Sequence, residues 1–468
     1  MAHRPIRLVT GLAALAGLTP WSVAAENGGI AGPGTNPLPA SGTSSPVMAS
    51  PQRQVFISGL VDLDYLAQDN YLNADSDDRG DLYKEGLIRG EFGARVELDE
   101  KIEAKLTMAY QAQMGGQPFV RSVDAAAVPP ADAQNTDVVL DDAFVVLKEF
   151  LNYPQASLKA GRQPVAWNLR TDYGAFLFDS RANHPEVSSW DGVKIQLQLE
   201  TLVFHPYAYA LPDDSRLYGL ALDWQPEQGA ANGLFITGSA NVQRDAEWAL
   251  QTGRTLFTYY GGLEMRFDNG IDLFGEGAMQ RGTATSDLSY RGYAFSGGLE
   301  WRPNSVLPMS FGVQGDFFSG DDNATDGDLH TFVNPWEGFS DTYIVEHEKY
   351  GELSELTHLG PGGTSGVGLQ AAKVKAEVAL DQGGRFRLRT IYGYYQTSED
   401  VVVNGDRDFG QEVDLSLSWQ YNDAGNAHLT FLGGAFLPDE AYQALSPGVV
   451  GDNDDMIWLF ATNLQVAF

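Results

Sequence analysis

The chain has 468 residues, no cysteine and a formal net charge of −32 at pH 7. Without cysteine it has no disulfide bonds, thiolate metal sites or cysteine nucleophiles, and the negative charge disfavours binding to nucleic acid, whose phosphates need Lys and Arg. Although 43% of the residues are hydrophobic, no run of about 18 uninterrupted apolar residues follows the N-terminal stretch, so a membrane-spanning helix is not expected.

The N terminus has the order of a secretory signal. Arg4 and Arg7 precede an apolar stretch over 8–18, and small residues follow at 22–25. This order predicts a cleavable signal peptide over residues 1–25, with a buried N-terminal helix as the alternative. Residues 26–53 are rich in Gly, Pro and Ser and predict a flexible tail.

From residue 54 to residue 468 the dominant pattern is an alternation of apolar and polar residues. Between Ile88 and Leu98, for example, apolar residues alternate with Arg89, Glu91 and Arg95. Clusters of Gly, Asp, Asn and Pro separate such segments, which is typical of strands and turns. We predict an all-β protein, a transmembrane up-and-down antiparallel β-barrel of about 18 strands, with one face of each strand towards lipid.

The connections between the predicted strands support this interpretation. Counted along the chain, the long ones all fall at the same end of the barrel: 66–85, 114–138, 163–190, 319–367 and 438–455. Bacterial outer-membrane barrels have long extracellular loops and short periplasmic turns. The pattern therefore predicts a location in the outer membrane of a Gram-negative-type bacterium.

The last strand carries the sharpest local signal. Aromatic and aliphatic residues alternate to the final carboxylate, and this resembles the C-terminal recognition signal of outer-membrane proteins. The predicted insertion signal comprises Trp458, Leu464, Val466 and Phe468. The expected partners are outer-membrane lipid and the barrel assembly machinery, and the chain is expected to be a monomer.

Charged residues lie at the strand positions between the apolar ones. They should face water, because a charge in the middle of the hydrocarbon costs roughly 2–4 kcal/mol. Rings of basic side chains select anions, whereas paired charges would only stiffen the wall. Arg387 and Arg389 lie two residues apart on one strand with no acid between them. This spacing predicts an unpaired cationic patch. The predicted pore-lining residues are Arg89, Arg95, Lys194, Arg266, Arg302, Lys373, Lys375, Arg387, Arg389, Glu412 and Asp414.

Four stretches spread over most of residues 54–468 resemble the alginate export family of outer-membrane channels: Lys159–Gln163, Ser189–Lys194, Phe318–Asp322 with Thr331–Pro335, and Gly410–Asp414 with Gly434–Pro438. The resemblance implies an 18-stranded barrel that exports a polyanionic polysaccharide through an arginine-lined constriction, which would fall on Arg89, Arg95, Arg266, Arg302, Arg387 and Arg389. Two features depart from the family. Inward acids outnumber inward bases, and every predicted periplasmic turn is too short for the long periplasmic plug of some relatives.

No cofactor is expected, and the metal candidates are weak. Asp75, Asp77 and Asp81 form one acidic loop, and a second one is richer in possible ligands. Asp321, Asp322, Asn323, Asp326 and Asp328 surround a glycine and offer the oxygen ligands that calcium prefers. They lack the full spacing of an EF-hand, and a solvated acidic loop explains them as well.

Enzyme chemistry is not expected. Six histidines follow the predicted signal peptide, and none belongs to a recognisable catalytic motif: His184, His205, His330, His347, His358 and His428. We interpret His205 as a residue of the barrel wall.

The predicted function is passive transport of a hydrophilic solute or exopolysaccharide, which could be anionic. A general diffusion porin for small nutrients is the alternative, followed by an adhesive or structural barrel with 319–367 as its functional surface.

Overall fold

The computed structural model describes most of the segment from residue 48 to the C terminus. The described residues are 48–50, 53–70, 83–114, 138–165, 189–210, 216–224, 234–244, 255–285, 288–323, 326–333, 341–346, 353–358, 366–400, 405–421, 426–446 and 454–468. The predicted signal peptide and nearly all of the predicted tail lie outside these residues, as do Asp75, Asp77, Asp81, His184 and His347.

The barrel has 18 strands, in agreement with the predicted fold. They are β1 (Arg53–Asp69), β2 (Tyr83–Asp99), β3 (Ile102–Met114), β4 (Val138–Lys148), β5 (Ala156–Gln163), β6 (Trp190–Leu199), β7 (Leu202–Ala210), β8 (Arg216–Trp224), β9 (Phe235–Arg244), β10 (Thr255–Arg266), β11 (Ile271–Thr285), β12 (Tyr293–Trp301), β13 (Met309–Phe318), β14 (Leu369–Ala379), β15 (Phe386–Thr397), β16 (Asp408–Gln420), β17 (Ala427–Pro438) and β18 (Ile457–Ala467).

Each barrel strand pairs antiparallel with the next, and the first strand closes the sheet by pairing with the last. The β1–β18 register runs from Leu60 opposite Ala467 to Asp69 opposite Trp458. The terminal Phe468 continues it, because its backbone N–H and C=O bond Gly59 at 2.9 and 2.8 Å. Closure leaves no unpaired sheet edge, which a structure within hydrocarbon requires.

The alternation predicted from the sequence sets the two faces of the wall. On β2, Phe92 and Leu98 are exposed on the outside, while Arg89 and Arg95 are half-buried on the inside. On the last strand, the predicted insertion residues all belong to the outward phase: Trp458, Leu464, Val466 and Phe468. Their role in insertion stays a prediction.

Helices are few and short in the part of the chain that the structure describes. They comprise the helices α1 (Glu355–His358) and α2 (Glu440–Leu445) and a 3₁₀ turn over Phe150–Asn152. Among the described residues, none of the helices has the length and apolar character needed to cross a membrane.

One predicted strand, 289–302, is interrupted. It forms a short strand, Leu288–Tyr290, and then β12 from Tyr293. The short strand pairs in parallel with Asp328–Leu329 of the long connection. A Cβ on the intervening Gly292 would lie 2.6 Å from the backbone oxygen of Thr331. The break therefore lies where the long connection approaches the wall closely.

Candidate functional site: the inward loop and the charged wall

The connection between β13 and β14, residues 319–368, is called the inward loop below, because its described segments pack on inward-facing side chains of the barrel. Phe332 packs with Trp190, Tyr209 and Tyr260 of the wall. The side-chain amide of Gln280 on β11 bonds both backbone groups of Val333, at 2.7 and 2.9 Å. The sequence predicted this connection at the extracellular end of the barrel, and its inward course is a feature that the alternation of the strands does not report.

One described part of the loop, the segment 341–346, is almost completely buried and is called the loop tip. The backbone N–H groups of Tyr343 and Ile344 donate to Glu412 Oε1 at 2.9 and 2.6 Å, and that of Val345 donates to Glu412 Oε2 at 2.9 Å. Asp414 Oδ2 accepts a further bond from Tyr343 at 3.0 Å. Two wall carboxylates thus satisfy three consecutive amides, which would be costly to bury without acceptors.

Apolar contacts hold the same segment. Ile344 and Val345 are completely buried and belong to a cluster that includes Leu432 of β17 and Tyr442 of α2. The hydroxyl groups of Thr342 and Tyr395 lie 2.7 Å apart. The loop tip is therefore packed like a protein core, although it lies within the barrel.

A cluster of charged side chains also holds the loop tip. These ion pairs, together with the hydrogen bonds and apolar contacts of the loop tip, are called the anchor. Asp341 at the start of the loop tip lies 2.6 Å from Lys375, 3.2 Å from Arg389 and 3.4 Å from Lys373. Lys373 also contacts Glu346 at 2.5 Å and Asp316 of β13 at 2.6 Å. All of these groups are largely buried, and a buried charge is tolerated only when it is paired and hydrogen-bonded.

The two loop acids of this cluster respond differently to it. Burial alone would raise the pKa of Asp341, but the charges of Lys375, Lys373 and Arg389 outweigh it and lower that pKa to about 2. For Glu346, burial outweighs the attraction of Lys373 and raises the pKa. Asp341 is accordingly the loop acid whose ionised form the cluster favours.

Five of the predicted pore-lining residues meet at this anchor: Lys373, Lys375, Arg389, Glu412 and Asp414. They face inward, as the alternation predicts, but they contact the loop tip. The predicted unpaired cationic patch is wrong, because Arg389 is paired with Asp341 and Arg387 lies 3.2 Å from Glu377. Its acids come from a neighbouring strand and a distant loop, which alternation along one strand does not reveal.

The remaining predicted basic residues lie on parts of the wall that the loop tip does not contact. Four of them pair with an acid two residues away on the same face: Arg89 with Glu91, Arg95 with Glu97, Arg266 with Glu264, and Arg302 with Glu300. Lys194 forms no ion pair with any described residue, and it lies opposite Lys159 in the β5–β6 register.

In several ion pairs of the wall the basic side chain is more exposed than the acid. The Arg302 side chain is 44% exposed and Asp272, 2.9 Å away, only 5%; Lys105 is 35% exposed and Asp142 only 1%. Arg266, Arg302 and Arg387 all lie next to short connections, so the same arrangement recurs at the barrel end that carries them. At this end Arg266 and Arg302 are therefore more exposed than the acids that they contact.

The acidic part of the inward loop differs from the predicted calcium set. Asp321 and Asp322 approach His330 with one ligand atom each, all within 4.8 Å of one another. Asn323 and Asp326 are not part of that group, and Asp328 is paired with Arg291 at 3.0 Å. An imidazole nitrogen is not a ligand that calcium prefers, and calcium binding stays a prediction.

Two residues decisive for the anchor, Asp341 and Glu346, were not among the sequence candidates. They flank the apolar run Tyr343–Val345 within the inward loop. An apolar run between two acids in a long connection is the only signal that could have pointed to them. His205, interpreted as a wall residue, lies on β7 with its Nε2 2.9 Å from Asp223.

Comparisons with known proteins agree with this architecture. Among solved structures, the chain is similar to OccK11 (OpdR) of Pseudomonas aeruginosa, with 14% identity and a TM-score of 0.52 over 88% of this chain and 96% of that one. It is also similar to OccAB1 of Acinetobacter baumannii, with 12% identity and a TM-score of 0.55 over 88% and 97%. A BenF-like porin from Pseudomonas fluorescens Pf-5 gives 10% identity and a TM-score of 0.56 over 88% and 99%.

At these identities the solved structures establish the fold alone. A search of curated proteins found no significant match. The alginate export family model matches residues 50–452, which is most of the chain. Together with the closed barrel, these findings identify an outer-membrane channel protein. The chain belongs to the alginate export family.

Proposed function

We propose that this channel passes a hydrophilic anionic solute or polysaccharide by passive transport. The observation that supports the proposal is the exposure of basic end groups in front of buried acids at the short-turn end of the barrel, as with Arg302 and Asp272. A permeating anion would meet guanidinium and ammonium groups first, and low-dielectric walls strengthen that attraction.

The docked loop adds a size restriction to this charge preference. Because the loop tip packs against β13 to β17, it occupies space that a barrel of this strand number would otherwise leave open. A flexible linear chain would fit such a reduced passage better than a bulky globular solute.

Planar-bilayer recordings test the anion preference. We expect the reversal potential in a KCl gradient to show chloride favoured over potassium, and the combined substitution of Arg266, Arg302 and Arg387 by Gln to reduce that ratio several-fold. Arg162→Gln is the matched control, since Arg162 lies on the outer face and is bound by Asp191 at 3.0 and 2.8 Å. Cation preference in the wild type would contradict the proposal.

Oligosaccharides of equal length separate polysaccharide from small-ion transport. A uronate oligomer added at the short-turn side should interrupt the current, whereas a neutral oligomer should interrupt it less. Equal effects of the two oligomers, with no ion preference, would favour the second candidate, a general diffusion porin. That candidate has its own support, because most basic wall residues already have acidic partners.

A further inference from the structure

Three arginines form a group on the outer surface of the barrel, at the end that carries the long connections. Arg216 is the first residue of β8 and Arg244 the last of β9, and they lie directly opposite each other in the register. Arg281 of β11 lies opposite Phe257 of β10, which lies opposite Val242. All three arginines are exposed and belong to the outward phase of their strands.

The residues below this group belong to the lipid-facing surface. Arg281 shares its row with Tyr218, Val242 and Phe257. Below that row, each successive outward layer towards the short turns is apolar or small: first Leu220, Ala240, Tyr259 and Met279, then Leu222 with glycines, and then Trp224, Ile236 and Leu263. The arginines thus lie at the boundary where an aromatic girdle meets the headgroup region.

Arg216 and Arg244 place two like charges directly opposite each other. Directly opposite residues on one face of an antiparallel pair have Cβ atoms roughly 5 Å apart, and like charges there are destabilising. None of the three guanidinium groups forms an ion pair with a residue that the structure describes; Arg281 donates only to the backbone oxygen of Gln280, at 2.9 Å.

Another outward arginine shows the contrast. Arg162 of β5 also lies near the long-connection end, and it makes two hydrogen bonds with Asp191 on the neighbouring strand, at 3.0 and 2.8 Å. The protein supplies its own carboxylate there, whereas none of the described carboxylates pairs with Arg216, Arg244 or Arg281.

We propose that Arg216, Arg244 and Arg281 form a docking site for the phosphate groups of an outer-leaflet lipid, whose acyl chains lie along the apolar layers below. Guanidinium groups bind phosphate oxygens in pairs of charge-assisted hydrogen bonds. Bound phosphates would also relieve the repulsion between the two facing arginines. The site is separate from the channel interior, so it does not depend on which solute is transported.

Native mass spectrometry of the detergent-solubilised barrel with added lipid A tests the proposal. We expect bisphosphorylated lipid A to bind roughly 10- to 100-fold more tightly than the dephosphorylated form. The free energy of one hydrogen bond to a charged group corresponds to a change in affinity of about that size. The triple substitution of the three arginines by Gln should remove the preference, and Arg162→Gln should retain it.

Further measurements keep the test decisive. Circular dichroism and heat-modifiable gel mobility establish that each variant is folded, and the single variants Arg244→Gln and Arg244→Lys replace the triple variant if it does not fold. Arg244→Lys should lose less of the preference than Arg244→Gln, because it keeps the charge. No preference in the wild type, or an unchanged preference in the arginine-to-Gln variants, would overturn the proposal.

The source of the phosphate is tested by competition. Inorganic phosphate at the same concentration should leave lipid A bound, because it lacks acyl chains to lie on the apolar layers. If inorganic phosphate displaced the lipid completely, the arginines would be a site for the free ion, and the lipid-docking proposal would be wrong.

Discussion

Asp341 Oδ2 lies 2.6 Å from Lys375 Nζ, so a carboxylate of the inward loop neutralises an ammonium group of the barrel wall. This contact joins a connection to a transmembrane strand inside the barrel. It makes the position of the loop, and with it the free cross-section of the channel, depend on a buried electrostatic cluster.

We predict that Asp341→Asn releases the loop tip and raises single-channel conductance. The substitution leaves Lys373, Lys375 and Arg389 close together without their shared carboxylate, and breaking a buried ion pair costs about 3–5 kcal/mol. Planar-bilayer recording measures the change. Asp400→Asn is the control, because the Asp400 pair with Arg407 is exposed. Equal conductance of wild type and Asp341→Asn would show that the cluster does not hold the loop.

We predict that Glu412→Gln loosens the loop tip less than Asp341→Asn does. The amide keeps the size of the carboxylate but has one acceptor oxygen for three donors, and an unsatisfied buried donor costs about 1–3 kcal/mol. Limited proteolysis within residues 319–368 reports the loosening.

The control for this substitution is Glu377→Gln, which alters an exposed pair with Arg387 away from the loop tip. A wild-type cleavage pattern in Glu412→Gln would contradict the assigned role of these hydrogen bonds. A double-mutant cycle with Asp341→Asn measures how strongly the two anchors depend on each other.

We predict that conductance does not rise between pH 7 and pH 4. The pKa of Asp341 in the docked loop is lowered to about 2, so its contribution is present above its ordinary pKa of about 3.9 and is lost only as pH falls through the lower value. The pKa of Glu346 is raised, so protonation of Glu346 as pH falls favours the docked state. A conductance increase near pH 5 that is absent in Asp341→Asn would contradict this assignment.

We predict that Gly161→Ala destabilises the barrel. Gly161 has a φ of +120°, and a Cβ there would lie 2.1 Å from the backbone oxygen of Ala143 on β4. Such backbone strain costs about 1–3 kcal/mol, and the clash with Ala143 adds to it because β4 and β5 would have to move apart. Urea unfolding in detergent micelles measures the loss. Gly90→Ala is the matched control, since a Cβ there meets nothing within 4 Å, and equal stability of the two variants would contradict the prediction.

We predict that Phe468→Ala lowers the amount of barrel inserted in cells but not its refolding from urea into detergent. The ring of Phe468 lies over Gly59, while its backbone closes the β1–β18 pairing, and alanine preserves the backbone bonds. Outer-membrane fractionation measures insertion. Met456→Ala, an exposed residue before β18, should insert normally. Equal loss in both assays would assign Phe468 to stability instead of recognition.

The barrel could be predicted from the sequence because the signals are local. In an antiparallel wall, the environment of Arg89 or Phe92 depends only on which face its position occupies, and that face alternates with a period of two. The same alternation determined the strand count, the outward position of Phe468 and the inward position of Glu412 and Asp414.

The tertiary structure alone decided what these inward residues contact. Glu412 accepts its hydrogen bonds from Tyr343, 69 residues away in the sequence, and Asp341 is 48 residues from Arg389. Periodicity carries no information about where the inward loop packs, because that depends on the packing of Ile344 and the pairing of buried charges. The sequence therefore determined the wall and its two faces, and only the folded chain determined which charges anchor the loop.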